Sequence, residues 1–218
     1  MRNLTCILTN YLTLFFIFLF LNCHKDVSGN SFSQYYPNNV GDSWIYDVTD
    51  STQSSPTNPS PPQHYMVTVT ITGTKTLIDG NQYVVWQYQY LWGNDTNFVK
   101  IVDDTLKIFS LTYSRTITDL NYPRDIFILP FQNNYWWNGL LLNTDTSRVV
   151  SQSEMVITSN QTFTDCFEIY HHYNGYNTEL NDYYWFRPNI GMVKIFYFDY
   201  NNGPSLYRTW ILRSYHIQ

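Results

Sequence analysis

The chain has 218 residues, 17 acids against 12 lysines and arginines, and only 13% charged but 19% aromatic side chains. Ordinary soluble domains are about a quarter charged, so polarity here falls to Asn, Thr and Ser, and the aromatic content excludes wholesale disorder. The acidic balance and the lack of any basic run exclude nucleic acid as an expected partner, and the length suits one domain.

Met1-Arg2-Asn3 opens a mixed apolar stretch that ends in the run Leu12-Thr13-Leu14-Phe15-Phe16-Ile17-Phe18-Leu19-Phe20-Leu21, followed by Asn22-Cys23. One positive charge and about ten apolar residues have the proportions of a secretory signal, short of the roughly 20 residues of a stable span. A Cys directly after the apolar region resembles the lipobox of bacterial lipoproteins. In those proteins the signal is cut before the Cys and its thiol receives a diacylglycerol. Leu21 and Asn22 stand where that family prefers small residues, a looser pattern that resembles lipoproteins of the Bacteroidetes lineage. An uncleaved signal anchor over Leu4–Leu21 and an ordinary signal cleaved nearby are the alternatives, and Thr5, Thr9, Asn10 and Thr13 weaken the first. The expected organisation is a signal peptide over 1–22, a lipid-anchored tether over 23–31 and a domain over 32–218. With Cys6 removed and Cys23 acylated, Cys166 is left alone and no intrachain disulfide is expected.

Alanine is absent and glutamate is limited to Glu154, Glu168 and Glu179, while strand formers are in excess. Alternation of period two recurs from Ser43 onward. It predicts strands over Ser43–Val48, Val67–Thr72, Tyr83–Tyr90, Phe98–Val102, Thr105–Leu111, Ser114–Leu120, Ile126–Leu129, Ser147–Thr158, Thr162–Tyr173, Tyr183–Arg187, Met192–Asp199 and Ser205–His216. Between the first two lies a polar, proline-rich loop over 51–63, expected to be disordered. Asp79-Gly80 predicts a tight hairpin turn built on positive dihedrals, and Asn138-Gly139, Asn174-Gly175 and Asn202-Gly203 predict further turns. The expected fold is all-β, a single antiparallel domain built as a strongly curved sheet, a two-layer sandwich or a half-barrel. A transmembrane barrel is the alternative. Arg208 and Arg213 argue against it, because they occupy opposite faces of the last strand and leave no clean lipid side. A faint internal echo pairs Pro37 and Trp44 with Pro130 and Trp137, Met66-Val67 with Met155-Val156, and Val99-Lys100 with Val193-Lys194. It suggests a duplicated sheet unit, and coincidence in a biased composition is the competing explanation.

Three segments together carry a resemblance: Tyr36-Pro37 through Val40-Gly41-Asp42-Ser43-Trp44-Ile45-Tyr46, Ile78-Asp79-Gly80-Asn81-Gln82-Tyr83, and Arg187-Pro188-Asn189-Ile190-Gly191-Met192-Val193-Lys194. With Thr162-Phe163-Thr164-Asp165-Cys166 they resemble uncharacterised bacterial envelope lipoproteins of the Bacteroidetes type. The resemblance implies an all-β, membrane-tethered domain and brings no catalytic residues. Physically, Val40-Gly41-Asp42-Ser43 reads as a turn into a strand with Trp44 and Tyr46 on one face, and Gly191 as a bend or bulge.

Local chemistry is sparse. Cys166 and His172 share a strand face but lie roughly 20 Å apart, so they form no dyad. His171 and His172 point to opposite faces and cannot chelate one ion together. Asp103-Asp104, Asp165 with Glu168, and Asp182 are the available carboxylates, and none is flanked by a group that would shift it. No catalytic set, cofactor or metal site is expected. The candidate ligand-binding residues are the turn-proximal aromatics Trp92, Tyr135, Trp136 and Trp185, which suit a sugar face or an acyl chain. The expected function is that of a lipid-anchored envelope lipoprotein, in the outer membrane, with a non-catalytic binding or structural role. Its partners would be membrane lipid through acylated Cys23 and a glycan, lipid or envelope-protein ligand. The alternative is an envelope hydrolase acting on glycans through carboxylates from separate strands.

Overall fold

The alternating stretches are strands throughout a computed structural model that describes residues 35–53, 61–110, 123, 125–138, 145–175, 178–201 and 205–218. The twelve strands are β1 (Ser43–Gln53), β2 (Gln63–Thr76), β3 (Gln82–Tyr90), β4 (Gly93–Val102), β5 (Thr105–Ser110), β6 (Asp125–Ile128), β7 (Trp136–Asn138), β8 (Asp145–Ile157), β9 (Thr162–Gly175), β10 (Thr178–Arg187), β11 (Gly191–Asn201) and β12 (Ser205–His216). Signal peptide, Cys23 and tether lie outside the described residues, as does the strand expected over Ser114–Leu120.

All twelve strands form one antiparallel sheet in the order β6-β5-β4-β3-β2-β1-β12-β11-β10-β9-β8-β7. Each half is a six-strand meander, and the halves join where the first strand pairs with the last, Ser43 opposite His216 and Gln53 opposite Ser205. The sheet curls until its two short edge strands approach each other. The Trp137 indole on β7 donates to the Ile126 carbonyl on β6 at 2.9 Å, and the Phe127 ring meets Tyr184 and Phe186 of β10 at 5.1 and 4.9 Å between centroids. This is the all-β, strongly curved sheet expected from the sequence, brought nearly to a closed barrel. Near-closure shields the unpaired edges that an open sheet would leave exposed.

One face of every strand lines the inside of the curl. Trp44, Tyr46, Val67, Ile71, Trp86, Val193 and Leu212 are all buried there, so the alternation in sequence is the alternation of inside and outside. Because the aromatic core faces inward and Asp47, Lys75, Arg148 and Arg213 sit outside, the arrangement is the reverse of a membrane barrel, whose apolar band faces lipid. A small second cluster, Leu77, Tyr83, Phe98 and Phe109, covers the outer face of β3–β5.

Several local expectations need correction. At the β2–β3 hairpin only Gly80 has positive φ, +75°. The turn runs from Leu77 to Asn81 and is held by the Asp79 carboxylate, which accepts from the Asn81 amide at 3.0 Å and the Tyr83 hydroxyl at 2.7 Å. Asn174 and Gly175 are still in strand, opposite Glu179 and Thr178, and not in the turn expected of them. The segment 51–63 is shorter as a loop than expected, since Ser51–Gln53 pair with β12 and Gln63 pairs with Asp50. β7 had no counterpart among the expected strands. The echo places Trp44 and Trp137 on the first strand of each meander and the two Met-Val pairs on the second, but Val99-Lys100 is on β4 and Val193-Lys194 on β11, one strand out of step.

Candidate functional site

The inward-facing residues change character along the strands. At the end where β1 begins, the interior is dry: Tyr36 lies against Trp86 (4.7 Å, stacked), Trp44 (5.4 Å) and Phe186 (6.0 Å), and Tyr35 packs on Phe131 at 5.4 Å. Burial pushes the Tyr36 and Tyr46 phenols well above the usual range. Gly191, with φ +97°, makes room for the Tyr36 ring, which fulfils the reading of Asn189-Ile190-Gly191 as a bend only glycine suits.

Toward the opposite end the same inward stripes turn polar. Register places Asp50 on β1 after Trp44, Tyr46 and Val48, opposite Arg208 on β12. Arg208 is opposite Tyr197 on β11, and Asp199 is the next inward residue of that strand. Asp182 on β10 is opposite His171 on β9, and Ser147 on β8 is opposite His171 in turn, with Asp145 beside it. On the other half, Asp125 opens β6 opposite Ile108, and Asp95 lies on β4 opposite Tyr88, with Asn97 one inward step toward the dry end, opposite Trp86. Many of these side chains are half-buried rather than sealed, among them Asp50, Tyr88, Tyr90, Asp95, Tyr197, Asp199 and Arg208. This half of the interior is wet, acidic and aromatic.

Two polar groupings organise it. Arg208 donates through Nε and a terminal nitrogen to Asp50 Oδ2 at 2.9 and 2.7 Å, and the Tyr65 hydroxyl reaches the same oxygen at 3.3 Å. Burial, only partly countered by the Arg208 charge, pushes the Tyr65 phenol up to about 12. In the second grouping the Tyr184 hydroxyl lies 2.8 Å from Asp125 Oδ1 and 3.5 Å from Asp182 Oδ2, and the His171 imidazole is hydrogen-bonded to Asp145. Burial lowers the His171 pKa, but the Asp145 carboxylate, with Asp125 and Asp182 behind it, outweighs that and holds it above the ordinary imidazole value. Between the groupings stands Trp210, edge-on to Tyr46 (5.6 Å), Tyr88 (6.3 Å), Tyr90 (6.3 Å) and Tyr197 (6.5 Å). Among the described residues no set of three or more His, Cys, Asp or Glu is arranged to hold a metal ion.

The four aromatics singled out by sequence are dispersed. Trp92, 67% exposed in the β3–β4 turn, stacks on Tyr90 at 5.3 Å and meets Tyr65 edge-on at 4.8 Å, at the rim of the wet half. Tyr135 and Trp136 sit by the edge strand β7, where Trp136 is exposed and Trp137 is core. Trp185 lies on the outer face of β10 beneath the Lys194 ammonium, 4.1 Å from its ring centroid. Cys166 is fully buried in β9, its thiol pushed up to about 11 by desolvation. His171 and His172 do face opposite sides, the latter stacked outside on Tyr170. The inward polar set of Asp50, Arg208, Asp199, Trp210 and Asn97 had no local motif. Its signal was an apolar stripe that ends in a polar residue in phase, which becomes legible once strand order puts those ends together.

No family model and no curated protein matches the chain. Among solved structures, a candidate exported protein with a YmcC-like fold from Bacteroides fragilis is 14% identical, with 84% of this chain and 98% of that chain covered at a TM-score of 0.45. A candidate lipoprotein from Parabacteroides distasonis is 13% identical, with 84% and 99% covered at a TM-score of 0.44.

Proposed function

We propose that this chain is a lipid-anchored bacterial envelope lipoprotein of the outer membrane with a non-catalytic binding role, and that it takes its ligand on the wet half of the inner sheet face. The observation that carries the binding role is the change along each inward stripe from sealed aromatics to half-buried carboxylates, Arg208 and tyrosines. A fold held together by its core alone gains nothing from placing desolvated charges there. The anchor rests on the apolar run before Cys23 and the short polar stretch after it. One acyl chain binds membranes reversibly, and the two or three of a mature lipoprotein hold fast. Cys23→Ser should abolish labelling by radioactive palmitate and release the chain from the membrane fraction. Continued labelling of that variant would refute the anchor.

A hydrolase is the second reading, favoured by the single phenol of Tyr184 set between Asp125 and Asp182. Asp125→Asn and Asp182→Asn should then each abolish any release of reducing sugar from envelope polysaccharide. Absence of turnover by the parent chain removes this reading and leaves the binding role intact.

A further inference from the structure

Three of the chain's five lysines, Lys75, Lys100 and Lys107, fall on the outer face of β2–β5. Register gathers them into one row across the strands. Lys75 is opposite Tyr83 on β3, the pairing of Val84 with Val99 carries the row on to Lys100 of β4, and Lys100 is directly opposite Lys107 on β5. At about 4.8 Å per strand the row is roughly 15 Å long. No run in the sequence announces it, because the three residues belong to three separate strands.

The row is short of negative charge. The only acid in these four strands, Asp95, faces inward opposite Tyr88, and among the described residues none of the three lysines forms an ion pair. Lys75 and Lys100 lie over rings instead, 5.7 Å from the Phe98 centroid and 5.5 Å from that of Tyr83. Asp79, in the β2–β3 turn, feels Lys100, but its oxygens are taken by Asn81 and Tyr83. Like charges directly opposite one another destabilise a sheet. A lysine pair placed that way, in a chain of net charge −5, is complementary to an anion outside the molecule.

Position decides which anion. The row lies within a few residues of the β2–β3 and β4–β5 turns, toward the dry end, where the chain enters the domain. There Asn38 accepts from Trp86 Nε1 at 3.2 Å and the Gly41 amide donates to the Ile71 carbonyl at 2.8 Å, so the entering segment rests on β3 and β2, the strands that begin the row. The twelve residues from Cys23 to Gln34 reach at most roughly 40 Å, which keeps this end of the domain close to an anchored Cys23. Val102, on the same outward stripe as Lys100, is 38% exposed, and Ile78 in the β2–β3 turn is 74% exposed. Lysines beside exposed aliphatic side chains match a layer of anionic headgroups. The exposed acids Asp103 and Asp104 sit in the β4–β5 turn, past the end of the face, so contact is made side-on rather than through the turns. Charge farther away is screened beyond about 8 Å at physiological salt, and the row acts locally although the whole chain is acidic.

We propose that the outer face of β2–β5 docks on an anionic phospholipid surface through Lys75, Lys100 and Lys107 and lays this side of the anchored domain on the membrane. This rests on the reading of Cys23 as the anchor.

The test is lysine footprinting. The purified full chain is mixed with vesicles of phosphatidylcholine, alone or with phosphatidylglycerol, labelled with an amine-acetylating reagent and read by mass spectrometry. Phosphatidylglycerol should lower the labelling of Lys75, Lys100 and Lys107 several-fold and leave Lys194, on the outer face of β11, unchanged. The effect should vanish in about 1 M salt, where screening acts beyond about 3 Å. Lys100→Gln should weaken docking about fivefold, as the loss of one basic residue near such a surface does, read as renewed labelling of Lys75 and Lys107. Its thermal midpoint should not fall, since the variant removes a like-charge pair. Equal labelling on both kinds of vesicle would overturn the proposal. Protection by soluble polygalacturonate but not by vesicles would overturn the lipid and give the row to an acidic polysaccharide. A chain that stays in solution with phosphatidylcholine vesicles would refute the anchor alone; a histidine-tagged N-terminus held by nickel-chelating lipid then brings the domain to the same surfaces, and the footprint judges the face separately.

Discussion

Asp42 is the most deeply buried acid among the described residues. It is fully buried, and its two oxygens accept from the Asn39 amide at 2.7 Å and the Gln218 amide at 2.9 Å, so one carboxylate ties the turn before β1 to the chain's last residue. Asp42→Ala takes the carboxylate acceptor from the Asn39 and Gln218 amides, which lie in exposed residues where water replaces part of the loss, and hydrogen bonds to charged acceptors are worth about 1.5–3 kcal/mol each. A loss of about 2 kcal/mol in urea-unfolding stability is expected, with Asp42→Asn roughly halfway. His171 gives the second prediction at this scale. Its folded pKa lies above the unfolded value, so its contribution is complete below about pH 6.5 and is lost as pH rises through the folded value. The urea midpoint should therefore fall from pH 6 upward on this account, and His171→Gln should remove that part of the slope. A variant with an unchanged slope would show that the imidazole is not the group responsible.

At the scale of elements, turns are fixed by backbone needs and then locked by side chains. Gly191 shows both. Its φ of +97° is one that L side chains rarely adopt, and an added Cβ would stand 3.1 Å from the Tyr36 ring, itself wedged between Trp44, Trp86 and Phe186. Gly191→Ala should cost about 2 kcal/mol through strain and displacement of that ring, measurable as a lowered thermal midpoint. At Gly80, φ is also positive but an added Cβ meets nothing within 4 Å, so Gly80→Ala should cost less. Equal losses would mean that backbone strain alone decides both positions. The indoles of Trp44 and Trp137, each on the first strand of a meander, use one device: they donate across the interior to the carbonyls of Ile190 and Ile126 at 2.6 and 2.9 Å.

For the whole barrel unit, the decisive pairing is that of β1 with β12, eleven residue pairs between strands at opposite ends of the sequence. Neither meander curls far enough alone to cover its inner aromatics, so the core exists only when both halves are joined. A chain truncated before Ser205, which lacks β12, should lose cooperative unfolding and bind a hydrophobic dye, and a sharp transition in that variant would show that the core does not need the β1–β12 pairing. In the intact chain, amides of β1 and β12 should exchange most slowly. Those of β6 and β7, strands of four and three residues at the sheet edges, should exchange fastest. Such long-range pairing also predicts slow folding.

Alternation of Thr with Val, Ile and aromatics, with alanine absent, determined by itself that the chain is an antiparallel β structure and which face of each strand is buried, because side-chain direction in a strand depends only on period two. The roles of Trp44, Tyr46, Cys166 and Gly191, and the divergence of His171 from His172, follow from that same local rule. Closure did not follow from it, nor did the meeting of first and last strands, since pairing partners are set by packing between distant segments. The wet half of the interior was equally hidden. Asp50, Asp182, Asp199 and Arg208 each look in sequence like one polar residue at an end of an apolar stripe, the first and third after it and the other two before it, and only antiparallel register brings those ends to one side of the barrel. Trp92 lay near the site because a turn at that end carries it. Tyr135, Trp136 and Trp185 share its chemistry, but the fold sends them to the edge strand and the outer face.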